Sequence, residues 1–219
     1  MDKFSNRFNN RRVQLNDSKP RFDDHIDSEP QPSDDNPSQN LEPFMGVKVR
    51  RLASFHRDYR GDYLDVSSNP YLLKILDKQG DRQVLFADKV LKFTSTGKMK
   101  RRILIVTDFA LYVIDPDTYA LKRRIALAAV EKLYLSKLCD NFLAIIIPTE
   151  YDILMASTRK NEIVTILVDA SKSTSNFEID VIFKNRFEYN PAADFVKEVH
   201  FEEVEGGVKT RILRKPEED

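Results

Sequence analysis

The sequence has little that would support a disulfide-bonded or membrane-spanning protein. It contains one cysteine, no tryptophan and six glycines in 219 residues. A single cysteine excludes an intramolecular disulfide framework and is typical of a reducing compartment. No uninterrupted apolar run exceeds six residues, as at 142–147, whereas a membrane-spanning helix needs about 20. Because the N-terminus also has no apolar signal region, we predict a soluble cytoplasmic protein.

Residues suited to catalysis or metal binding are also sparse. His25 lies in a polar N-terminal stretch, and we interpret His56 and His200 as surface or packed histidines, because neither has a cysteine or carboxylate pair spaced to complete a metal site. Cys139 has no neighbouring histidine and is interpreted as a structural thiol. No G-x-S-x-G motif and no phosphate-cradling glycine run occurs. We predict a protein that is not an enzyme and needs neither a metal nor another cofactor.

Charge is unevenly distributed, although 35 basic residues balance 35 acidic ones. Residues 1–45 carry a net charge of −3, residues 46–137 carry +9, and residues 138–219 carry −6. A ligand responds to the local field more than to the net charge of the whole chain. The basic middle of the chain therefore predicts an anionic partner.

Composition divides the chain into a tail and a folded domain. Residues 1–45 hold five of the ten prolines and few apolar side chains, which predicts a disordered, acidic and proline-rich tail. A single domain is expected over residues 46–215, with its barrel core at about 83–172. A short acidic end follows at 216–219.

The apolar pattern predicts a mainly β domain with two helices. Asn69-Pro70 opens a short helix over 71–76, and Thr158 caps an amphipathic helix that includes 163–170. Short strands separated by turn residues favour a barrel or sandwich over a parallel sheet. Seven are predicted, at 85–93, 103–106, 110–114, 121–127, 130–135, 142–148 and 151–157. Seven strands followed by one helix is the layout of a pleckstrin-homology-like fold, and two more strands, 177–183 and 208–213, are expected to pack on the outside.

The densest basic cluster surrounds the first hairpin turn. Ser95-Thr96-Gly97 supply the turn, and five cations flank it: Lys92, Lys98, Lys100, Arg101 and Arg102. We predict that they converge on one hairpin mouth and bind an anion. A phosphoinositide headgroup presents several phosphates close together, which lysine and arginine bind through charge-assisted hydrogen bonds. The alternative interpretation is an ordinary polar turn.

Three further positions bear on this cluster. In the run Lys122, Arg123 and Arg124, strand alternation sends Arg123 to the face opposite its neighbours, so Lys122 and Arg124 are the predicted accessory cations.

Ser54 follows Arg50-Arg51 at a spacing that basophilic kinases accept. Phosphorylation there would add about −2 of charge to the basic segment and weaken membrane attachment.

A nucleic acid is not the expected partner, because single-strand binding usually places exposed aromatic rings among the cations. Phe93 alternates with Lys92 and is predicted to lie in the core. The contrasting hypothesis is a protein-interaction module, in which the basic rim binds an acidic or cytoskeletal protein.

Three sequence blocks together resemble the tail homology 1 domain of class I myosins. They are RGDYLDVSSNPYLLKIL (60–76), VLFADKVLKFTSTGKMKRRILIVTDFALYVID (84–115) and LKRRIAL (121–127). The resemblance covers about 46–215 and implies a pleckstrin-homology core with additional elements that attaches to acidic phospholipids, including phosphoinositides. It also implies a lysine on the first strand, matched by Lys92, and a Lys/Arg-x-Arg on the second, matched by Lys100-Arg101-Arg102.

Motor and light-chain-binding regions do not occur in these 219 residues, so nothing that a myosin does through ATP or actin is carried over. The resemblance and the charge pattern together predict a non-enzymatic module that is peripheral at the cytosolic face of anionic membranes. Its expected partners are anionic phospholipids, with cytoskeletal or myosin-related proteins as the alternative.

Overall fold

The computed structural model describes residues 59–81, 83–174, 178–193 and 195–215. The predicted tail over 1–45, the acidic end at 216–219 and the positions Ser54, His25 and His56 lie outside the described residues. The helices are α1 (Pro70–Gln79) and α2 (Lys160–Thr174), with short 3₁₀ helices at Val66–Ser68 and Leu127–Ala129. The strands are β1 (Val84–Phe93), β2 (Met99–Thr107), β3 (Ala110–Ile114), β4 (Leu121–Ala126), β5 (Lys132–Leu135), β6 (Phe142–Ile146), β7 (Ile153–Ala156), β8 (Asp180–Phe183), β9 (Arg186–Ala192), β10 (Phe195–Val204) and β11 (Gly207–Arg214).

The first eight strands form one sheet in the order β4-β3-β2-β1-β7-β6-β5-β8. Neighbouring strands are antiparallel, except that β8 runs parallel to β5. Seven strands followed by α2 confirm the predicted pleckstrin-homology-like layout. The expectation that 177–183 packs on the outside is wrong for β8, because its backbone pairs with β5 and extends the main sheet.

Local sequence sets the ends of the helices. The side chain of Asn69 accepts the backbone N–H groups of Tyr71 and Leu72, and Pro70 suits the first turn because it has no N–H to satisfy. Gly80, in the left-handed conformation at φ +79°, ends α1 three residues beyond the predicted limit. At the start of α2, the Ser157 hydroxyl accepts the N–H of Arg159, one residue before the predicted cap at Thr158.

One face of the main sheet surrounds the principal core. Leu104, Leu111 and Ile125 are fully buried on this face, and Ile163 and Leu167 of α2 cover it. Burying an aliphatic side chain of this size contributes about 1.5–3 kcal/mol before the opposing conformational entropy. We call the face of the sheet that carries these buried side chains the inner face.

The opposite, outer face is covered by two further layers. Over β1–β3, the α1 side chains Leu72 and Leu76 pack against residues that include Ile105. Over β6 and β7, the three-stranded sheet β11-β10-β9 contributes a second cluster that includes Phe187 and Phe201. Burial on both faces explains why all five residues of β3 are buried and apolar instead of alternating with polar ones.

The segment before α1 is fixed to both β1 and α2. The buried carboxylate of Glu162 accepts the Gly61 N–H and the Tyr63 hydroxyl, each at 2.8 Å. Gly61 has φ +78°, and a Cβ there would lie 2.7 Å from the carbonyl oxygen of Leu85. Glycine is therefore required where the RGDYLD segment crosses β1.

β9 and β10 were not predicted from the sequence. Both carry an alternating signal, with Phe187 and Tyr189 buried on β9 and Val199 and Phe201 buried on β10. Charged residues between these positions concealed the pattern, and Pro191 argues against a strand because it cannot donate to a ladder. Within the described residues, no helix is long and apolar enough to cross a bilayer.

Candidate functional site

Three loops meet at one end of the main sheet, which we call the mouth. They join β1 to β2 (94–98), β3 to β4 (115–120) and β6 to β7 (147–152). The register places the end of β1 beside the start of β2, and Lys92 opposite Met155 of β7. Antiparallel pairing of β2 with β3 brings the end of β3 to the same edge. Basic side chains near these loops therefore gather at one end of the barrel.

The first of these loops is tightly hydrogen-bonded. The Thr94 N–H donates to the Lys98 carbonyl at 2.9 Å, and the Lys98 N–H donates to the Thr94 hydroxyl at 3.1 Å. Gly97 adopts φ +81°, a conformation that suits glycine. These contacts hold the ends of β1 and β2 in a fixed register beside the mouth.

Strand alternation sorts the five cations predicted to converge. Val90 and Leu104 lie in the inner core, so Lys92, Lys100 and Arg102 continue the inner face into the mouth. Lys98 is exposed in the loop itself. Arg101, paired with Leu91, belongs to the outer face. The prediction that all five converge is therefore wrong for Arg101.

Arg123 joins the inner-face cations, contrary to its predicted position. It pairs with Val113, which lies in the inner core, and Ile125 two residues later is also there. Burial lowers the pKa of Lys92, and the positive charges of Arg123 and Arg102 lower it further. Strand alternation separates Arg123 from Lys122 and Arg124 as predicted, but the face that carries Arg123 is the inward one, because Ile125 on the same face lies in the inner core. The inner-face cluster is Lys92, Lys100, Arg102 and Arg123, and we call it the cationic cluster.

Arg124, a predicted accessory cation, lies on the outer face. Its guanidinium donates to the Tyr112 hydroxyl at 3.0 Å and to Asp81 at 3.2 Å. The side chain of Asp81 is only 5% exposed, and Tyr112 is fully buried. The prediction that Arg124 reaches the patch is wrong, because the α1 side of the sheet holds it. Lys122 is exposed, and its charge acts on Asp115 in the β3–β4 loop, so it remains beside the mouth.

Two carboxylates occupy part of the cationic cluster. Arg102 Nη1 lies 3.1 Å from Asp115 Oδ2, and Arg123 donates two bonds to Glu150, at 2.9 and 3.2 Å. Burial opposes ionisation of Asp115, but the N–H groups of Asp117 and Thr118, with the charges of Arg102 and Lys122, lower its pKa overall. Sequence reasoning missed both acids, because their partners are distant along the chain.

The remaining cations of the mouth are not neutralised within the described part of the chain. Lys98 and Lys100 are exposed, and neither forms an ion pair there; the same holds for Arg101 on the outer face. Lys92 is half-buried, and its Nζ lies 3.4 Å from the Phe93 carbonyl. Phe93 itself is buried in the outer cluster, as predicted, and offers no ring for stacking. The arrangement favours a compact, multiply charged anion.

The other residues considered for catalysis do not belong to the cationic cluster. His200 Nε2 is 2.7 Å from Glu198 on β10, and Cys139 is exposed in the β5–β6 connection. Among the described residues, no group of three His, Cys, Asp or Glu side chains is arranged to hold a metal ion.

A pleckstrin-homology-like barrel with extra layers and a basic mouth corresponds to a myosin tail domain. The chain belongs to the family described as unconventional myosin tail, actin- and lipid-binding, which matches residues 50–216. It is 34% identical over 181 residues to the myosin IC heavy chain of Dictyostelium discoideum, covering 76% of this chain. It is 32% identical over 178 residues to myosin heavy chain IB of Acanthamoeba castellanii, covering 78%. The chain spans about 15% of the length of each of these relatives.

Solved structures with a related layout include the N-terminal PH domain of human ARAP2, with 17% identity and a TM-score of 0.35 over 41% of this chain and 80% of that one. The hSac2 domain of the human phosphoinositide phosphatase Sac2 has 13% identity and a TM-score of 0.36 over 53% and 90% of the two chains.

Proposed function

We propose that this domain attaches to the cytosolic face of anionic membranes by binding a phosphoinositide headgroup at the mouth. The observation that carries the proposal is the position of Lys92, Lys100, Arg102 and Arg123 on one face, at the meeting point of three loops. Like charges this close repel one another, so an anion that reaches all four relieves the repulsion. The family description as lipid-binding supports the same function.

Each cation of the cluster has a distinct contribution. Lys92 is half-buried, and burial together with the positive charges of Arg123 and Arg102 lowers its pKa, so a bound anion would favour its charged form. The planar guanidinium of Arg102 or Arg123 can bind two phosphate oxygens at once. Exposed Lys98 and Lys100 extend the positive field toward the membrane surface.

The proposed energetics are those of reversible peripheral attachment. A basic residue near an anionic leaflet contributes about 1 kcal/mol, so the residues of the mouth suffice for docking without a covalent lipid anchor. The interaction requires charge and shape only, and we propose a binding module without catalytic activity.

Vesicle sedimentation tests the proposal. Neutralising Lys92 or Arg102 by substitution with alanine removes charge-assisted bonds worth roughly 1.5–3 kcal/mol each, which corresponds to about tenfold to hundredfold weaker binding to phosphoinositide vesicles. Binding of the parent should rise with the anionic fraction and fall with salt. Equal binding to neutral and anionic vesicles would reject the proposal.

Arg186→Ala is the matched control. Arg186 is also a surface arginine in an ion pair, with Glu198, but it lies on β9 in the three-stranded sheet. Its loss should leave vesicle affinity within about twofold of the parent. If Arg186→Ala weakens binding as much as Arg102→Ala does, only the total charge matters and the mouth is not a site.

A second function, binding to a cytoskeletal protein, is favoured by the family description as actin-binding. Co-sedimentation with actin filaments tests it directly. The alanine variants at Lys92 and Arg102 then show whether one surface serves both partners, because a shared surface would lose both activities together.

A further inference from the structure

Resting on the proposed function, we propose that apolar side chains around the mouth enter the interfacial layer of the bilayer while the cationic cluster binds a headgroup. The side chains are Met99, Leu121, Tyr151 and Tyr71, which we call the apolar rim. The domain would then be held by hydrocarbon contact as well as by charge.

Three of these side chains lie in or next to the loops of the mouth. Met99 begins β2, Leu121 begins β4, and Tyr151 lies in the β6–β7 loop. Met99 and Leu121 are each 37% exposed, and Tyr151 is 50% exposed. Met99 and Leu121 directly follow the β1–β2 and β3–β4 loops, and Tyr151 lies in the β6–β7 loop, so each loop of the mouth has one large exposed apolar side chain in it or beside it.

Tyr71 lies at the start of α1 and reaches the rim through its contact with Tyr119 of the β3–β4 loop. It is 63% exposed and stacks on Tyr119, with ring centroids 5.1 Å apart and an interplanar angle of 12°. Tyr119 is held at φ +51°, a left-handed conformation that is unfavourable for a bulky residue, and its hydroxyl accepts a bond from Asn69. The fold therefore maintains a strained residue in a position that supports an exposed aromatic side chain.

Charge around the rim favours a lipid surface over a protein partner. Residues 92–102, 115–123 and 148–152 together hold seven basic and four acidic residues, a net charge of +3. Two of the four acids, Asp115 and Glu150, are paired with arginines of the cluster. Tyrosine has an apolar ring and a polar hydroxyl and is enriched where a bilayer meets water. Exposed apolar side chains beside an excess of cations match the layering of hydrocarbon beneath anionic headgroups.

The absence of tryptophan makes insertion directly measurable, since one introduced indole is the only one in the protein. The experiment uses Tyr151→Trp and vesicles of phosphatidylcholine with a phosphoinositide, prepared with and without bromine on the acyl chains. We expect the indole at position 151 to shift to shorter wavelength and to be quenched by the brominated chains. Phe109→Trp is the control, because Phe109 is 52% exposed in the β2–β3 turn at the opposite end of the barrel. The indole at position 109 should stay unquenched.

A second measurement separates apolar contact from charge. Tyr151→Ser with Leu121→Ser should weaken vesicle binding about threefold to tenfold, and this factor should persist at high salt because apolar contact is not screened. Phe183→Ser, which changes a 54% exposed side chain on β8, should have no effect.

The outcomes are distinguishable. If the parent does not bind the vesicles, both the proposed function and this inference fail. If it binds while the indole at position 151 is no more quenched than the one at position 109, only insertion is overturned. Shielding of position 151 by actin filaments but not by lipid would assign the rim to a protein partner and overturn the inference as well.

Discussion

Arg123 and Arg124 are neighbours on β4 and lie in opposite environments. Arg123 faces the mouth, where it pairs with a Glu150 side chain that is 42% exposed, and its charge adds to those of Lys92 and Arg102. Arg124 faces the α1 side, where Asp81 and Tyr112 accept its hydrogen bonds in a nearly closed environment.

The difference separates cations that we propose to bind a ligand from cations that stabilise the fold. On the α1 side, the Asp81 carboxylate also accepts the hydroxyl hydrogens of Tyr112 and Thr107, so the charge of Arg124 completes a satisfied network. At the mouth, cations outnumber acids and the balance is left for a partner. Charge density alone does not distinguish the two regions, but the number of internal partners does.

The largest expected effect is on stability, at Arg124. Arg124→Ala leaves the buried Asp81 carboxylate without its counter-charge, and we expect a loss of about 1.5–3 kcal/mol in the free energy of unfolding, because the pair is only partly screened by solvent. Urea denaturation measures this loss. Vesicle affinity of the folded variant should not change, and a tenfold loss there would return Arg124 to the binding site.

The second effect is on binding, at Arg123. Arg123→Ala should weaken phosphoinositide-vesicle binding about threefold to tenfold, in line with about 1 kcal/mol for a basic residue near the membrane. Its free energy of unfolding should stay within about 0.5 kcal/mol of the parent, because exposed ion pairs contribute little. A variant with unchanged binding but lower stability would show that the two neighbouring arginines do not differ in role.

Much of the barrel could be predicted from the sequence, because its strands carry strong local signals. β3 was predicted at its observed limits, and β1 within one residue, since apolar runs and turn residues fix both. The lower limit of β2 was missed because Met99–Arg102 extends beyond the core and has no apolar pattern. The three-stranded sheet was missed except for β11, because burial of its alternate residues depends on an outer face of the main sheet that only tertiary packing creates.

The position of the cationic cluster could be predicted from the sequence but its membership could not, and its role as a binding site stays a prediction. Lys92 and the Lys100-Arg101-Arg102 run carried a clear signal, and alternation alone separates Arg101 from the other two. Arg123 required knowing which face of β4 is inward, which Ile125 could have indicated. Asp115 and Glu150 could not be assigned, because their pairing depends on how three separate loops meet.

The third effect is a pH dependence on the α1 side. Burial raises the pKa of Tyr112 to about 12, and its hydrogen bond to Asp81 acts in the same direction. The folded state therefore keeps this proton more tightly than the unfolded state, where the pKa is about 10. The contribution of this raised pKa to the free energy of unfolding is complete below pH 10 and is lost as the pH rises toward 12. Between these values, the free energy of unfolding of the parent should fall more steeply than that of Tyr112→Phe, by about 1 kcal/mol or less at pH 11. Parallel curves would show that Tyr112 is not held by this network.

The smallest effect concerns selectivity at the mouth. Asp115 and Glu150 pair with Arg102 and Arg123, so a headgroup bound as proposed would displace a carboxylate from each arginine. A multiply charged phosphomonoester regains more from this exchange than the single charge of phosphatidylserine does. Asp115→Asn with Glu150→Gln should therefore strengthen binding to phosphatidylserine vesicles more than binding to phosphoinositide vesicles, and lower the ratio of the two affinities about twofold to fourfold. Glu188→Gln is the control, because Glu188 pairs with Lys215 on the three-stranded sheet. An equal gain for both lipids would mean that the two acids reduce the field of the mouth without selecting among its ligands.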